Sequence, residues 1–366
     1  MYIKRNVLLN PGPATTTDGV KLAQVVPDIC PREKEFGDVM EFVSKEITNF
    51  VGNNEEYITV LFGGSGTAAV EATISSVVGE GRVLIVNNGA YGERMCEIAE
   101  AYKLDYLEFN SSPIEEIDYN DLEKVINESE RKVTHIALVH HETTTGLLND
   151  IKRVGEICKK YEVDMIVDGM SSFAGIPIDM EDMNIKYLAS SSNKCIQGMA
   201  GVSFVIANLE SLNKTKDIKP KNLYLNLYKQ YEYFKKNYQM RFTPPVQVLY
   251  ALKEAIIETK KETIENRYER YRSCCEILWR GLEKIGLEKL VDESNHSKLI
   301  TSIIEPSYPE YDFKKMHDYF YNKGFTIYPG KISLQDTFRI ANIGEIYPKD
   351  MENFVDLLEE YINSLK

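Results

Sequence analysis

Apolar and polar positions follow two periodicities that alternate along most of the chain. Short apolar runs, typical of buried strands, are separated by stretches in which apolar residues recur every three or four positions, as in amphipathic helices. The strand candidates are 57–62, 82–86, 104–109, 133–140, 163–168, 187–190 and 202–207, and the helix candidates between them include 67–78, 91–102, 121–129 and 151–161. This alternation predicts an α/β fold with a mainly parallel seven-stranded sheet that is covered on both faces.

The N-terminal region departs from this alternation. Residues 1 to about 30 are rich in proline, and Asn10-Pro11-Gly12-Pro13 is too rigid and too turn-prone for a helix. An extended N-terminal segment is therefore expected. A helix follows it, with apolar residues at spacings of three and four: Phe36, Met40, Val43, Ile47 and Phe50.

Beyond the predicted sheet the pattern becomes mainly helical. Residues 210–245, rich in Lys, Tyr and Asn, predict a helical connector and contact surface, and residues 249–285 predict one long helix. That helix leads to a smaller unit with strand candidates at 299–304, 325–328 and 337–341 and helix candidates near 312–323 and 348–364. We expect an N-terminal segment (1–20) that joins the small domain, a large domain (21–255) and a small C-terminal α+β domain (256–366).

Composition narrows the classes of protein. The 366 residues are 43% hydrophobic and 27% charged, with a formal net charge of −13 and a pI of about 5.1, which argues against nonspecific binding to nucleic acid or to anionic membranes. The N-terminus lacks a signal-peptide pattern, and no apolar run approaches the ~18 residues of a membrane span. The six cysteines show no metal-binding spacing, so we expect free thiols in a reducing cytoplasm and no metal site.

A lysine and an aspartate near two predicted strand ends are the main chemical signal. Asp168 ends the apolar run 163–168, and Lys194 follows the next strand candidate along the chain. A lysine amine can form a Schiff base with an aldehyde cofactor, and a carboxylate can keep a pyridinium nitrogen protonated. The pair therefore indicates pyridoxal phosphate as cofactor. Taken alone, a solvated lysine and a strand-end cap explain it equally well.

A glycine-rich turn after the strand candidate 57–62 is suited to bind phosphate. Ser65, Gly66 and Thr67 stand at a predicted helix N-terminus, where backbone N–H groups, hydroxyls and the helix dipole favour an anion. The run matches neither the dinucleotide fingerprint GxGxxG with its acidic residue nor the P-loop GxxxxGK[ST]. A plain glycine turn with a Ser/Thr cap is the alternative.

Two further strand ends carry candidate cofactor contacts. Tyr91, between Gly89 and Gly92, is placed to lay its ring on a flat cofactor, with a helix-capping loop as the alternative. Thr143 begins a run of three threonines whose hydroxyls suit a phenolic oxygen. We assign no base role to the histidines that precede this run, since polar loop packing accounts for them.

One arginine lies inside an otherwise apolar strand candidate of the C-terminal unit. Arg339 is flanked by Phe338 and Ile340. An arginine in such a setting needs an anion, and its planar fork fits a carboxylate with two hydrogen bonds. We interpret it as a substrate anchor, with a structural ion pair as the alternative.

Taken together, the motifs resemble the fold-type I, class V aminotransferases that depend on pyridoxal phosphate. The resemblance extends over nearly the whole chain. It is specific around Lys194 and in the Glu-Thr-Thr-Thr-Gly run, whereas the Pro-Gly-Pro segment is shared by relatives with other substrates. The segments that carry it are 8–13 (LLNPGP), 64–67 (GSGT), 88–92 (NGAYG), 141–146 (HETTTG), Asp168, 192–198 (SNKCIQG) and 338–340 (FRI).

The resemblance implies a role for each matching residue. Lys194 corresponds to the lysine that binds the cofactor and shuttles the proton, and Asp168 to the partner of the pyridine nitrogen. Tyr91 corresponds to the stacking ring, and Thr143 to a contact of the phenolic oxygen or its surroundings. The residues that correspond to the phosphate cradle are Ser65, Gly66, Thr67 and Asn193.

Further implied roles concern the substrate and the assembly. Thr243 resembles a phosphate contact that a neighbouring subunit contributes, which implies a homodimer with shared active sites. Arg339 resembles the clamp for the carboxylate of pyruvate or alanine. Gly12 and Arg32, in the N-terminal segment that would close over the substrate, are assigned as substrate contacts; for Arg32 a surface ion pair is the alternative.

The implied reaction is transamination between 2-aminoethylphosphonate and pyruvate, which gives phosphonoacetaldehyde and L-alanine. An alanine or serine–glyoxylate aminotransferase is the nearest alternative, but that branch more often has tryptophan and serines in place of Tyr91 and the threonine run. A cysteine desulfurase needs a mobile cysteine shortly before the substrate arginine, and no cysteine follows Cys275. A binding protein that has lost the chemistry would not be expected to keep both Lys194 and Asp168.

Overall fold

A computed structural model describes residues 3–330 and 335–366 of the chain. Seven of its strands form a central sheet, as the sequence pattern predicts. In chain order the strands are β1 (Val7–Leu8), β2 (Tyr57–Gly63), β3 (Arg82–Asn87), β4 (Asp105–Asn110), β5 (Val133–Val139), β6 (His141–Glu142), β7 (Leu147–Leu148), β8 (Asp164–Asp168), β9 (Ile185–Ser191), β10 (Val202–Asn208), β11 (Ile300–Ile304), β12 (Phe325–Thr326), β13 (Tyr328–Pro329) and β14 (Thr337–Ala341).

The order of the strands in the central sheet is β2-β10-β9-β8-β5-β3-β4. The pairs β9–β8, β8–β5, β5–β3 and β3–β4 are parallel, whereas β10 runs antiparallel to both of its neighbours. The prediction of a mainly parallel seven-stranded sheet is therefore confirmed. Parallel strands that end at one edge bring the residues that follow them close together, and this edge positions the candidate site.

Helices cover the sheet. In chain order they are α1 (Asp18–Leu22), α2 (Lys34–Asn49), α3 (Gly66–Val77), α4 (Ala90–Ala101), α5 (Tyr119–Glu128), α6 (Ile151–Tyr161), α7 (Leu209–Lys214), α8 (Leu227–Asn237), α9 (Val246–Glu262), α10 (Ile264–Ile285), α11 (Phe313–Asn322) and α12 (Pro348–Asn363). None of the helices in the described part of the chain is long and apolar enough to cross a membrane.

Two apolar cores lie on the two faces of the sheet. Successive strand residues alternate between them: Leu61 and Val167 belong to one core, and their neighbours Phe62 and Ile166 to the other. This division follows from the two-residue repeat of a strand, which points adjacent side chains to opposite faces. The continuous apolar runs in the sequence therefore correspond to strands that are buried on both faces.

The C-terminal part has its own small sheet and core. Strands β11, β14 and β13 form an antiparallel sheet, and the N-terminal strand β1 pairs in parallel with β12. Val7 and Leu9 of the N-terminal segment pack into the same apolar cluster as Phe338 and Phe354. The division into segments 1–20, 21–255 and 256–366 stays a prediction.

The prediction of one helix over 249–285 is wrong. Helix α9 ends at Glu262, Thr263 has a φ of +67°, and a separate helix, α10, begins at Ile264. The Thr263 hydroxyl accepts a hydrogen bond from the Asn266 N–H and so caps the second helix. The expectation of an extended N-terminal segment also needs correction, because Thr17 caps the short helix α1 within it.

Candidate active site

The predicted lysine and aspartate follow neighbouring strands of the central sheet. Asp168 is the last residue of β8 and pairs in parallel with Ala189 of β9. Lys194 lies in the turn that follows β9. Because the two strands end at the same edge, both side chains reach one region, and the charge of Lys194 acts to lower the pKa of Asp168.

Asp168 is a buried carboxylate that accepts a hydrogen bond from the loop that follows it. Its Oδ1 accepts from the Met170 N–H at 2.8 Å. Burial raises the pKa of Asp168 to about 6, while the Met170 N–H and the charges of Lys194 and Arg94 act in the opposite direction. A buried carboxylate of this kind ionises readily only beside a further cation, and a protonated ring nitrogen would supply one.

Lys194 points its amine at the N-terminal segment. The amine donates a hydrogen bond to the Pro11 carbonyl. Burial lowers the pKa of Lys194, and the positive charge of Arg339 acts in the same direction. A larger share of neutral amine follows, which is the form that reacts with an aldehyde.

The predicted phosphate cradle lies at the first turn of α3. Ser65 is the N-cap residue, yet its side chain makes no capping hydrogen bond to the helix. Gly66 packs so tightly against the loop after Asp168 that a β-carbon on it would lie 2.1 Å from Met170 Sδ. The helix N-terminus, with Ser65 and Thr67 beside it, therefore stands next to Asp168, where its dipole favours an anion.

Tyr91 and Asp168 line one small cavity. Tyr91 is the second residue of α4, and the Arg94 guanidinium lies 4.8 Å from its ring centroid. The cavity is lined by Thr67, Val70, Tyr91, Arg94, Asp168 and Met170. The structure therefore brings together three of the predicted cofactor contacts, Tyr91, Thr67 and Asp168.

Thr143 has a buried hydroxyl without a partner. Its Oγ1 is enclosed, and no group in the described part of the chain is within hydrogen-bond distance. Its carbonyl accepts from Arg339 Nη1 at 3.2 Å. Since buried polar atoms are nearly always paired, this hydroxyl fits a contact to a bound group such as the phenolic oxygen.

Arg339 is almost completely buried, with 2% of its surface exposed. Its Nε donates to the Pro329 carbonyl at 3.0 Å, and the Tyr328 ring centroid lies 5.3 Å from its guanidinium carbon. Within residues 3–330 and 335–366 no carboxylate forms an ion pair with it. Burial lowers the pKa of Arg339, so the fork is a desolvated cation that gains from a bound anion.

The remaining predicted contacts, Asn193, Gly12, Thr243 and Arg32, differ in their burial and in their hydrogen-bond partners. The Asn193 carbonyl accepts from the Ala14 N–H at 2.9 Å, and Gly12 lies against the Lys194 side chain. Thr243 is exposed on the surface of the protein. Arg32 donates to the Met240 carbonyl at 2.6 Å and to the Arg241 carbonyl at 3.1 Å, which ties the N-terminal segment to the segment before α9. The substrate contact assigned to Arg32 stays a prediction.

Two residues near this edge were missed in the sequence. The Arg94 guanidinium lies near the Tyr91 ring, and Glu142 is a completely buried carboxylate beside Thr143. The available signal for Glu142 was an acidic residue three positions after the apolar strand that ends at Val139. His140 and His141, which precede Glu142, do not act as free bases. His140 contacts the Ser172 hydroxyl at 2.9 Å, and His141 contacts the hydroxyls of Ser171 and Ser297. Burial lowers the pKa of both rings.

A roomier surface cleft of about 830 Å³ lies elsewhere, lined partly by Trp279, Arg280 and Lys289. None of the predicted site residues lines it. Its size reflects its open position on the surface of α10, so the convergence of Lys194 and Asp168 is the better guide to the chemistry.

Similarity to known proteins shows the family to which the chain belongs. The family model described as aminotransferase class-V matches residues 21–344, and the chain belongs to this family. The predicted fold and the dependence on pyridoxal phosphate are thereby confirmed.

Individual relatives are similar over nearly the whole chain. A 2-aminoethylphosphonate–pyruvate transaminase of Bacteroides fragilis is 41% identical over 98% of this chain and 99% of its own length. A bifunctional phosphonoacetaldehyde hydrolase/aminoethylphosphonate transaminase of Clostridioides difficile is also 41% identical, and the chain spans 56% of its length. The crystal structure of an alanine–glyoxylate aminotransferase from Nostoc sp. is 25% identical, with a TM-score of 0.89 over 100% of this chain and 96% of that one.

Proposed function

We propose that the protein transfers the amino group of 2-aminoethylphosphonate to pyruvate and so forms phosphonoacetaldehyde and L-alanine, with pyridoxal phosphate as cofactor. The transaminase of Bacteroides fragilis supports this choice of substrates through its similarity over both full lengths. Tyr91 and the threonine run at 143–145 support it as well, since the glyoxylate branch more often has tryptophan and serines at these positions.

The observation that carries the proposal is the setting of Arg339. Its fork is buried, it lacks a carboxylate partner within the described residues, and its charge acts on Lys194. Each substrate is a small molecule with an anionic group at one end, a phosphonate or a carboxylate. A guanidinium fork accepts oxygens of either group, so one anchor can serve both amino donor and acceptor.

The residues at the sheet edge fit the cofactor. The unpartnered Thr143 hydroxyl and the close approach of Gly66 to Met170 are features of a site shaped for a bound group. Pyridoxal phosphate, when bound, supplies an electron sink for the negative charge that develops at the carbon bearing the amino group.

In the proposed assignment Lys194 attaches the cofactor and carries the proton, and Asp168 holds the ring nitrogen protonated. Tyr91 stacks on the ring, and Thr143 contacts the phenolic oxygen. Gly12 and Arg32 belong to the N-terminal side of the substrate space. The phosphate is assigned to Ser65, Gly66, Thr67 and Asn193.

We also propose a homodimer in which Thr243 reaches the phosphate of the partner's cofactor. Thr243 is exposed, and its neighbour Phe242 stacks on Tyr224 with a centroid distance of 5.1 Å. Tyr224 and Leu223 are 42% and 71% exposed, an apolar surface that a second subunit would cover. The cytoplasmic location expected from the sequence stays a prediction.

A half-reaction assay tests the function. Purified holoenzyme is mixed with one amino donor at a time, without a keto acid, and the change in cofactor absorbance is followed in a single turnover. Fast conversion with 2-aminoethylphosphonate and with L-alanine is expected, and pyruvate should reverse it. Fast conversion with alanine or serine but none with 2-aminoethylphosphonate, together with efficient use of glyoxylate, would replace the proposal by an alanine or serine–glyoxylate activity.

A further inference from the structure

Glu142 is a buried carboxylate for which the assignment above has no role. It is completely enclosed at the end of β6. Its Oε1 accepts from the N–H and the hydroxyl of Thr144, at 3.0 and 2.6 Å, and its Oε2 accepts from the Tyr91 N–H at 3.3 Å. No lysine or arginine in the described part of the chain forms an ion pair with it. Three neutral donors therefore satisfy a carboxylate in the interior, and such a group needs an explanation.

Helix α4 has no capping side chain of its own. Its N-cap residue is Gly89, at a position where Ser, Thr, Asp or Asn usually accepts a hydrogen bond from the first turn. A β-carbon on Gly89 would lie 2.5 Å from Glu142 Cδ, so the carboxyl group occupies the space of the absent side chain. Glu142 thus caps α4 from a neighbouring strand and places an acidic group at the positive end of its dipole.

The second carboxyl oxygen of Glu142, Oε1, fixes the turn that contacts Arg339. Glu142 Oε1 accepts from Thr144, and the carbonyl of the preceding residue, Thr143, accepts from Arg339. Ser302 of β11 donates to the Thr144 carbonyl at 2.8 Å and ties the same turn to the C-terminal sheet. One side chain therefore joins the helix that carries Tyr91 to the turn that supports the substrate anchor.

We propose that Glu142 is a positioning residue. By capping α4 it fixes the Tyr91 ring and sets the position of this ring relative to Thr143. The inference rests on the proposed function, because it takes Tyr91 as the ring that stacks on the cofactor. Glu142 does not itself take part in proton transfer, since all of its hydrogen bonds hold main chain or a threonine hydroxyl of its own loop.

Glu142→Gln is the primary test, because it keeps the size of the side chain. Glutamine has only one acceptor oxygen, which can face either Thr144 or Tyr91. Its amide N–H groups then face the N–H of the other residue, and two donors cannot form a hydrogen bond with each other. The apoprotein is titrated with pyridoxal phosphate, and the circular dichroism of the bound cofactor is recorded, since it reports the orientation of groups around the ring. We expect about tenfold weaker binding and a reduced dichroic band.

A rescue variant makes the test specific for capping. Serine at position 89 clashes with Glu142 in the native protein, but Glu142→Ala removes the atoms that it would meet. The double variant Gly89→Ser/Glu142→Ala then carries a local cap at the start of α4. It should bind pyridoxal phosphate more tightly than Glu142→Ala and recover part of the dichroic band.

Asp118→Ala is the matched control. Asp118 caps α5 by accepting from the N–H groups of Asn120 and Asp121, and none of the assigned site residues lies on that helix. This variant should unfold at a lower temperature while its cofactor affinity and dichroism stay native.

Native affinity and dichroism in Glu142→Gln would overturn the inference, as would a double variant no better than Glu142→Ala. If Glu142→Ala fails to fold, Glu142→Gln still decides. A native protein that binds no pyridoxal phosphate would instead refute the proposed function.

Discussion

The backbone of Gly12 lies directly against the side chain of Lys194. A β-carbon on Gly12 would stand 2.6 Å from both Cδ and Nζ of the lysine. Gly12 has a φ of +137°, where residues with a side chain are strained. The N-terminal segment thus lies beside the Lys194 amine. The same segment is joined to the C-terminal part of the protein, because its strand β1 pairs with β12.

Gly12→Ala should lower both kcat and the free energy of unfolding. The added methyl group displaces the lysine amine, and a shift of about 1 Å at a reacting group can reduce the rate by ~10². Backbone strain should reduce the free energy of unfolding by about 1–3 kcal/mol. Steady-state kinetics and urea denaturation measure the two effects. Gly286→Ala is the control, because Gly286 also has a positive φ, +78°, but open space around it; equal kcat values for the two variants would contradict the prediction.

Lys194→Ala should fold normally and lose transamination. The lysine makes one hydrogen bond in the structure, to the Pro11 carbonyl, so the truncation affects chemistry far more than packing. Borohydride treatment followed by mass spectrometry should attach the cofactor to residue 194 of the native protein and to no residue of the variant. Near-native turnover in the variant would remove Lys194 from its assigned role.

Asp168→Asn should stabilise the apoprotein at high pH and abolish most activity. Burial holds the pKa of Asp168 near 6, above its ordinary 3.8, so the fold favours the protonated acid. Its contribution to stability is therefore complete below about pH 4 and is lost as the pH rises through 6, a difference of roughly 3 kcal/mol. Asparagine stays neutral and can still accept from the Met170 N–H.

Urea denaturation of both apoproteins between pH 4 and pH 8 measures this effect. The variant should gain stability relative to the native chain only toward pH 8, while kcat of its holoenzyme falls by ~10² or more. A native apoprotein that gains stability over this range relative to the variant would show that Asp168 is not desolvated in this way.

Arg339→Lys should impair both half-reactions. Lysine keeps the charge but cannot present two parallel N–H donors, so it should recover only part of the binding lost in Arg339→Met. KM should rise steeply for 2-aminoethylphosphonate and for alanine alike, since one fork is proposed to hold both anionic groups. A variant with raised KM for only one of them would separate the two binding sites.

Mixed dimers should reveal whether Thr243 acts across the interface. One subunit carries Lys194→Ala and the other Thr243→Ala, each with a different affinity tag. If Thr243 serves the partner's cofactor, one site of each mixed dimer contains both native residues and shows native kcat. If Thr243 serves its own subunit, every site lacks one of the two residues and activity does not recover.

The local sequence pattern was a good guide where each residue acts within its own element. The apolar runs located the strands of the sheet, and the residue types after their ends located Asp168, Lys194 and the turn at Ser65. The break at Thr263 escaped the same reasoning because neither glycine nor proline marks it in the sequence. The residues around the break make both local and long-range contacts: Glu262 pairs with Arg267 and Arg270, and Arg267 donates at 2.7 Å to the carbonyl of Cys195, 72 positions earlier in the chain.

The sequence by itself determined the strand and helix content of the sheet region, the family and the residue types available at the strand ends. Only the tertiary structure placed Gly12 against Lys194, used Glu142 to cap α4 and left Arg339 without a carboxylate partner in the described residues. The reason is physical. Hydrophobic periodicity specifies which face of an element is buried, but contacts between residues far apart in the chain depend on strand order and on how side chains fill the remaining space.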